Sequence, residues 1–361
     1  MTTGPLAGLR IAEFAGIGPG PFAGMLLADM GAEVVRIQRP GGADPYAPGL
    51  ATRGRTVVEA DLKDPAARER VLALLDGADA LIEGFRPGVM ERLGLGPDAV
   101  LARNPRLVYG RMTGWGQDGP LAATAGHDIS YIAVTGALAA IGEPARPVPP
   151  LNLVGDYGGG SLYLVAGLLA GILSARTTGR GQVVDAAICD GTASQMAMFC
   201  DMASRGTWRD GRGSNLLDGG KPYYRTYACR DGEHVAIGPL EPQFYAEFLR
   251  LTGLADDPDF ARRDDPAMQE RLHARLEALF LTRSRDEWDR LFEGSDVCFA
   301  PVLSLSEAPH HPHLKARGTY VAAGEGGWQP APAPRFSATP GAVRAPRAAT
   351  IEAVAAAWRS G

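Results

Sequence analysis

A doubly wound α/β domain followed by a smaller α+β domain is the architecture this sequence predicts, on three observations. Strand-like and helix-like segments alternate between residues 9 and 112, as βαβ units feeding a parallel sheet require. A loop-rich stretch, Asp210-Gly-Arg-Gly-Ser-Asn-Leu-Leu-Asp-Gly-Gly220, then interrupts the chain. Beyond it the pattern becomes a hairpin signal followed by amphipathic helices. The large domain is expected at 1–205, a linker at 206–222 and the small domain at 223–318.

Residues 9–14 read as the first strand, and Gly16-Ile17-Gly18-Pro19-Gly20-Pro21 as the turn after it. Apolar residues recur at helical spacing over 22–30, with Pro21 in the first turn, where its missing N–H costs nothing. Residues 31–37 form a β-branched second strand. A dinucleotide fingerprint is excluded, because GxGxxG requires glycine where Pro21 stands and the second strand ends in Gln38-Arg39-Pro40 rather than in an acid. An arginine at that strand end suits a phosphate. Strands at 56–59, 80–82 and 107–112, with helices at 66–75 and from 89, continue the pattern. Ligands of such sheets sit beyond the carboxyl ends of the strands, which gathers Ile17, Arg39, Arg86 and Arg92. Each arginine taken alone is equally consistent with a solvated surface charge.

A glycine-rich loop at 114–119 precedes an apolar helix at 161–175, a strand at 183–187 and a helix at 191–205. In the small domain, strands at 223–229 and 233–238 flank Asp231-Gly232, and helices follow at 243–251, 268–281 and 284–293. A short strand at 300–303, a proline-rich stretch at 328–347 and a helix at 351–358 complete the chain. No repeat of solenoid length occurs.

Bulk composition narrows the function classes. The chain has 361 residues, 45% hydrophobic and 21% charged, with a net charge of −5 and an isoelectric point of about 5.8. Without a basic cluster, neither a nucleic acid nor an anionic membrane is an expected partner. Cys189, Cys200, Cys229 and Cys298 lie far apart, which argues against a disulfide framework or zinc site and fits a reducing, cytoplasmic location. The first residues lack the basic and apolar regions of a signal peptide. The apolar run at 161–175 falls short of the roughly 20 residues that span a bilayer, so it is expected to be a core helix and no membrane association is expected. His310-His311-Pro312-His313 has no carboxylate or thiolate at ligand spacing, so no metal is expected. P-loop, zincin and nucleophile-elbow motifs are absent.

Chemistry concentrates at 126–160. His127 follows a glycine and precedes an acid; its near-neutral pKa suits proton abstraction, although a buried histidine tying down a loop fits equally well. Asp156 stands before three glycines and the apolar helix, where it is either an N-cap or a carboxylate whose pKa burial raises. A histidine and a carboxylate on either side of a segment that folds back are what a two-base site needs. Glu241, in Glu241-Pro242-Gln243-Phe244, reads locally as a capping acid before a helix.

Several segments resemble the family III CoA transferases: residues 9–14, residues 20–37, Asp61-Leu62-Lys63 and Asn104-Pro105-Arg106-Leu107-Val108-Tyr109. Within that family, other segments are similar to the α-methylacyl-CoA racemases. They are Gly126-His127-Asp128-Ile129-Ser130-Tyr131, residues 150–160, Leu216-Leu217-Asp218-Gly219-Gly220, Tyr223-Tyr224-Arg225-Thr226-Tyr227, residues 241–245 and residues 311–318. The resemblance implies an isomerase of lipid metabolism that exchanges the C2 proton of a 2-methylacyl-CoA through an enolate-like intermediate. It casts His127 and Asp156 as the two bases, the Asp128 N–H as a donor to the enolate oxygen, and Glu241 as support for His127 across a subunit boundary. Arg39 and Arg92 would meet the CoA phosphates, with Ile17 and Lys63 beside the nucleotide. Arg86, Gly126, Tyr131, Gly155 and Tyr157 would line the remaining site. It further implies an interlocked homodimer, a large domain completed by 325–361, and no cofactor beyond the CoA of the substrate. The alternative is CoA transfer between carboxylic acids, in which Asp128 forms an acyl anhydride.

Overall fold

The computed structural model describes residues 3–324 and 326–360. Residue 325, where the returning segment is expected to start, lies outside the described residues, as do residues 1–2 and 361.

The predicted parallel sheet forms. Its centre is β1 (Arg10–Phe14), flanked by β2 (Glu33–Gln38) and β4 (Ala80–Glu83); β3 (Arg55–Glu59) lies outside β2 and β5 (Val108–Thr113) outside β4. Val183–Ala187 and Arg347–Ala348 add the two edges, making seven strands, all parallel. Central strands of such a sheet are covered on both faces, which is why β4 reads Ala-Leu-Ile-Glu with every residue buried. Helices Pro65–Leu75 and Ile351–Ser360 cover one face through Val71, Leu74, Leu75, Ile351 and Trp358. Helices Pro19–Asp29 and Leu162–Thr178 cover the other through Ala23, Leu27, Leu164, Leu168 and Ile172. The chain order reverses between β1 and β4, so the loops after these two strands diverge and leave a crevice at their carboxyl ends.

The chain divides into two units. The first comprises residues up to Ala137, Pro150–Ala197 and Gln329 onward; the second comprises Leu138–Pro149 and Met198–Trp328. In the first unit the C-terminal segment returns to the sheet, where the Trp358 indole donates to Glu33 at 3.1 Å. The second unit carries an antiparallel sheet of Arg225–Ala228, His234–Ile237 and Phe299–Pro301. Its helices Pro242–Thr252, Gln269–Phe280 and Arg285–Phe292 close over an aromatic core of Tyr227, Phe248, Phe280, Trp288 and Phe292.

Three local expectations change. Residues 138–149, read from sequence with the large domain, belong to the second unit, because Arg212 donates to the carbonyls of Ala139, Glu143 and Pro144 there. The helix expected at 191–205 forms as two, Ile188–Gln195 and Ala197–Ser204, and the latter buries none of its residues. The apolar helix is longer than its sequence pattern suggests: a π-helix, Leu153–Ser161, runs straight into Leu162–Thr178. Those 26 residues are long and apolar enough to cross a membrane by length and composition, so the length argument above does not hold; half of the run's most apolar window is buried inside the fold.

Candidate active site

Two cavities share the crevice after β1 and β4. One, of about 670 Å³, is lined by Ile17, Arg86, Gly126, His127, Asp128, Tyr131, Asn152, Asp156 and Tyr157, among others. The second, of about 480 Å³, is lined by Arg36, Arg39 and Lys63. Phe14, Ala15, Gly16, Ile17, Asp44 and Phe85 line both, so one continuous groove joins the His127 end to the Arg39 end. Arg92, at the end of the helix Val89–Arg92, lines neither cavity.

His127 is held by its neighbours rather than by its own ring, which is exposed and makes no hydrogen bond among the described residues. This displaces the reading of a buried, loop-tying histidine. Its backbone is extended, and its carbonyl accepts the Ser130 N–H at 2.7 Å, starting the helix Asp128–Ala133. The Tyr131 ring fixes the preceding turn. It fills space that a methyl group on Gly114 or Gly126 would overlap, meets Trp115 edge-on at 4.8 Å, and donates its hydroxyl to the Gly126 carbonyl. The Tyr131 hydroxyl is thereby engaged, and burial pushes its pKa up. The Asp128 N–H lies at the first helical position, where no intrahelical acceptor exists, and it bonds to no described group.

Asp156 sits within the π-helix and does not cap the following helix as one sequence reading has it. A π-turn admits one more residue per turn than an α-helix and concentrates at functional sites. Here it turns the Asp156 N–H onto the Asp128 carboxylate, at 2.6 Å from Oδ1. The Gly155 N–H bonds to the same carboxylate. Gly155 permits that approach, since a methyl group there would overlap Asp128 Oδ1. The Asn152 amide hydrogen-bonds the Asp156 carboxylate, and Tyr157 stacks on Phe22 with ring centres 4.1 Å apart.

Electrostatics separate the two carboxylates. Asp156 is raised from 3.8 to about 6, first by burial and then by the Asp128 charge, against the opposing Asn152 hydrogen bond and the nearby His127. Burial raises Asp128 as well, but the two backbone N–H groups hold it back. An imidazole and a carboxyl raised to about 6 therefore face one cleft, an arrangement that can pass a proton in either direction.

Asn152 escaped the sequence reading. Its only signal is a position four residues before Asp156, which matters once the π-helix carrying Asp156 starts directly after it. Replacing it with alanine is expected to raise the Asp156 pKa further, by about one unit, as for a lost hydrogen bond to a charge. The acid limb of the pH–rate profile would move up by that amount; an unmoved limb would contradict the assignment.

Glu241 belongs to the second unit, at the cap of Pro242–Thr252 with no side-chain capping bond. Among the described residues no three His, Cys, Asp or Glu side chains gather to hold a metal ion, and the four cysteines are free.

The profile of CoA-transferase family III matches residues 6–349. The chain is 41% identical to the α-methylacyl-CoA racemase of Mus musculus over 346 residues, covering 95% of this chain and 89% of the relative. It is 40% identical to that of Homo sapiens over 339 residues, covering 93% and 87%. The crystal structure of a CaiB/BaiF family protein from Brucella suis superposes with a TM-score of 0.81 at 25% identity, covering 99% of each chain.

Proposed function

The chain belongs to CoA-transferase family III, and on that premise we propose that it is an isomerase that epimerises the C2 centre of 2-methylacyl-CoA thioesters. The observation that carries this reading is the pair of bases in one cleft, His127 and an Asp156 tuned to about 6. One base removes the C2 proton, and its electron pair moves onto the thioester oxygen to give an enolate. The other base, protonated at that moment, returns a proton to C2 from the opposite face, and the electron pair re-forms the C2–H bond. The unpartnered Asp128 N–H is suited to the enolate oxygen, because a fixed donor aimed at developing charge stabilises it without reorganisation. The CoA lies along the groove, its phosphates toward Arg39 and Lys63, while Ile17 and Arg86 lie along the path. Arg92, outside both cavities, is assigned to the phosphates by the family resemblance alone. No group beyond the substrate's own CoA takes part.

The working form is assigned as a homodimer in which Glu241 of one subunit supports His127 of the other. Supporting this, Leu153, Leu162 and Leu173 are 57%, 51% and 69% exposed, a row of apolar side chains along one helical run that a second subunit would cover. We further assign it to lipid metabolism, in keeping with the substrate class, and to the cytoplasm, in keeping with its widely spaced cysteines.

Family III also contains CoA transferases, and Asp128 is present here. One Asp128 oxygen, however, is engaged by the Asp156 N–H, which leaves a poorer nucleophile. Solvent exchange separates the readings: deuterium from D2O should enter C2 of a 2-methylacyl-CoA with no carboxylic acid added. Acyl exchange that requires an added carboxylate, with no label at C2, would establish the transferase instead.

A further inference from the structure

We infer that Ser161 is a positioning residue for Asp156, its buried hydroxyl bridging the Asp156 carbonyl and the Pro19 carbonyl and so fixing the carboxylate against the Gly18 turn. The inference rests on the racemase reading of the site and adds to it how one of the bases is aimed.

A π-turn is less favourable than the α-helical turn it replaces, so the segment carrying Asp156 needs external restraint. The restraints are visible on both sides. Ser161 is fully buried at the end of the π-helix, with Oγ 3.0 Å from the Asp156 carbonyl oxygen and 2.7 Å from that of Pro19. A hydroxyl has one proton, so it donates to one carbonyl or is shared between them; either way it draws the two backbones together. Pro19 follows Gly18, whose positive φ of 70° turns the loop so that a methyl group there would lie 3.0 Å from Asp156 Oδ2. The segment bonded by Ser161 is therefore the same segment that bounds the carboxylate.

Glycines complete the seat behind it. A methyl group on Gly160 would meet Ile188 Cγ1 at 3.1 Å and Pro19 Cβ at 3.2 Å, and one on Gly159 or Gly191 would overlap its neighbour across the contact with Ile188–Gln195. The run of three glycines thus lets the π-helix lie flush on that helix, while Ser161 supplies the polar tie in front. Proton transfer needs near-contact geometry, and a displacement of about 1 Å can cost 100-fold. Loosening one tie of several is expected to cost about tenfold.

Two-base chemistry offers a readout that general destabilisation does not move. In D2O each enantiomer loses its C2 proton to a different base, and label returned from that same base appears with retention. The experiment measures exchange with retention and inversion for both enantiomers, in the full-length wild type and in Ser161→Ala. We expect inversion to fall about tenfold in both directions. Exchange should fall for only one enantiomer, the one that Asp156 deprotonates, while the His127-dependent exchange stays near the wild-type rate. Equal loss of both exchanges, or no change in either, would overturn the assignment of Ser161 alone. Absence of C2 exchange in the wild type would overturn the racemase reading and this inference with it. Ser161→Cys keeps a weak S–H donor in the same place and should show the same one-sided loss at smaller size, which serves if the alanine variant does not fold.

Discussion

Asp156→Asn is expected to stop inversion and yet leave a more stable protein at pH 8. Loss of one acid–base group should lower the rate by about 10²–10⁴-fold. The gain in stability follows from the raised pKa, about 6 in the folded protein against 3.8 ordinarily. Below the lower value the carboxyl is neutral in folded and unfolded chains alike, and it contributes no difference. As pH rises from 3.8 toward 6, the unfolded chain releases its proton first, so stability falls across that window. Above about 6 the full cost of keeping a buried carboxylate persists, on the order of 1–3 kcal/mol after allowing for its partial access to solvent. Asparagine removes the charge and with it this cost. Thermal melts should therefore show the variant a few degrees above the wild type at pH 8 and level with it at pH 4. A wild type that melts higher at pH 8 would contradict the burial argument.

His127→Ala is expected to abolish inversion to a similar degree, about 10²–10⁴-fold, but with no change in melting temperature. The ring is exposed and bonds to no described residue, so its loss removes no packing and frees no buried partner. CoA affinity should also hold, because Arg39 and Lys63 line the other cavity. Exchange with retention through Asp156 should survive, so deuterium still enters one enantiomer although no inversion occurs. A variant that keeps full inversion would remove His127 from the mechanism. The contrast in stability between the two variants reflects the different surroundings of the two bases, one at the mouth of the cleft and one pressed between the Asp128 charge and the Gly18 turn.

Much of the molecule was readable before any coordinates. The alternation of β-branched strands and amphipathic helices implies a parallel sheet, since parallel neighbours require crossovers; the strand order itself, with Arg347–Ala348 at one edge, came only from the structure. The groove past the carboxyl ends of β1 and β4 follows from that topology, which is why Ile17, Arg39 and Arg86 fell near it from their positions alone. The segment at 138–149 was misplaced because its tie is to Arg212, more than sixty residues away, and no local period reports such a contact. The apolar run reaches membrane length because π- and α-helical turns are continuous in space, whereas its sequence pattern begins only at residue 161.

What the sequence by itself determined is the sheet, the crevice and the ionisable residue types present at 126–160. Those depend on residue type and on short periods, which a chain displays directly. Only the tertiary structure decided which carboxylate is tuned and how it is aimed. Asp128 and Asp156 are the same side chain, and composition cannot rank them. The ranking comes from the π-turn, which sends two backbone N–H groups to Asp128 and leaves Asp156 buried beside that charge, with Asn152 as its hydrogen-bond partner. Burial and the direction of a backbone N–H are properties of packed segments, so they appear only once the segments have met.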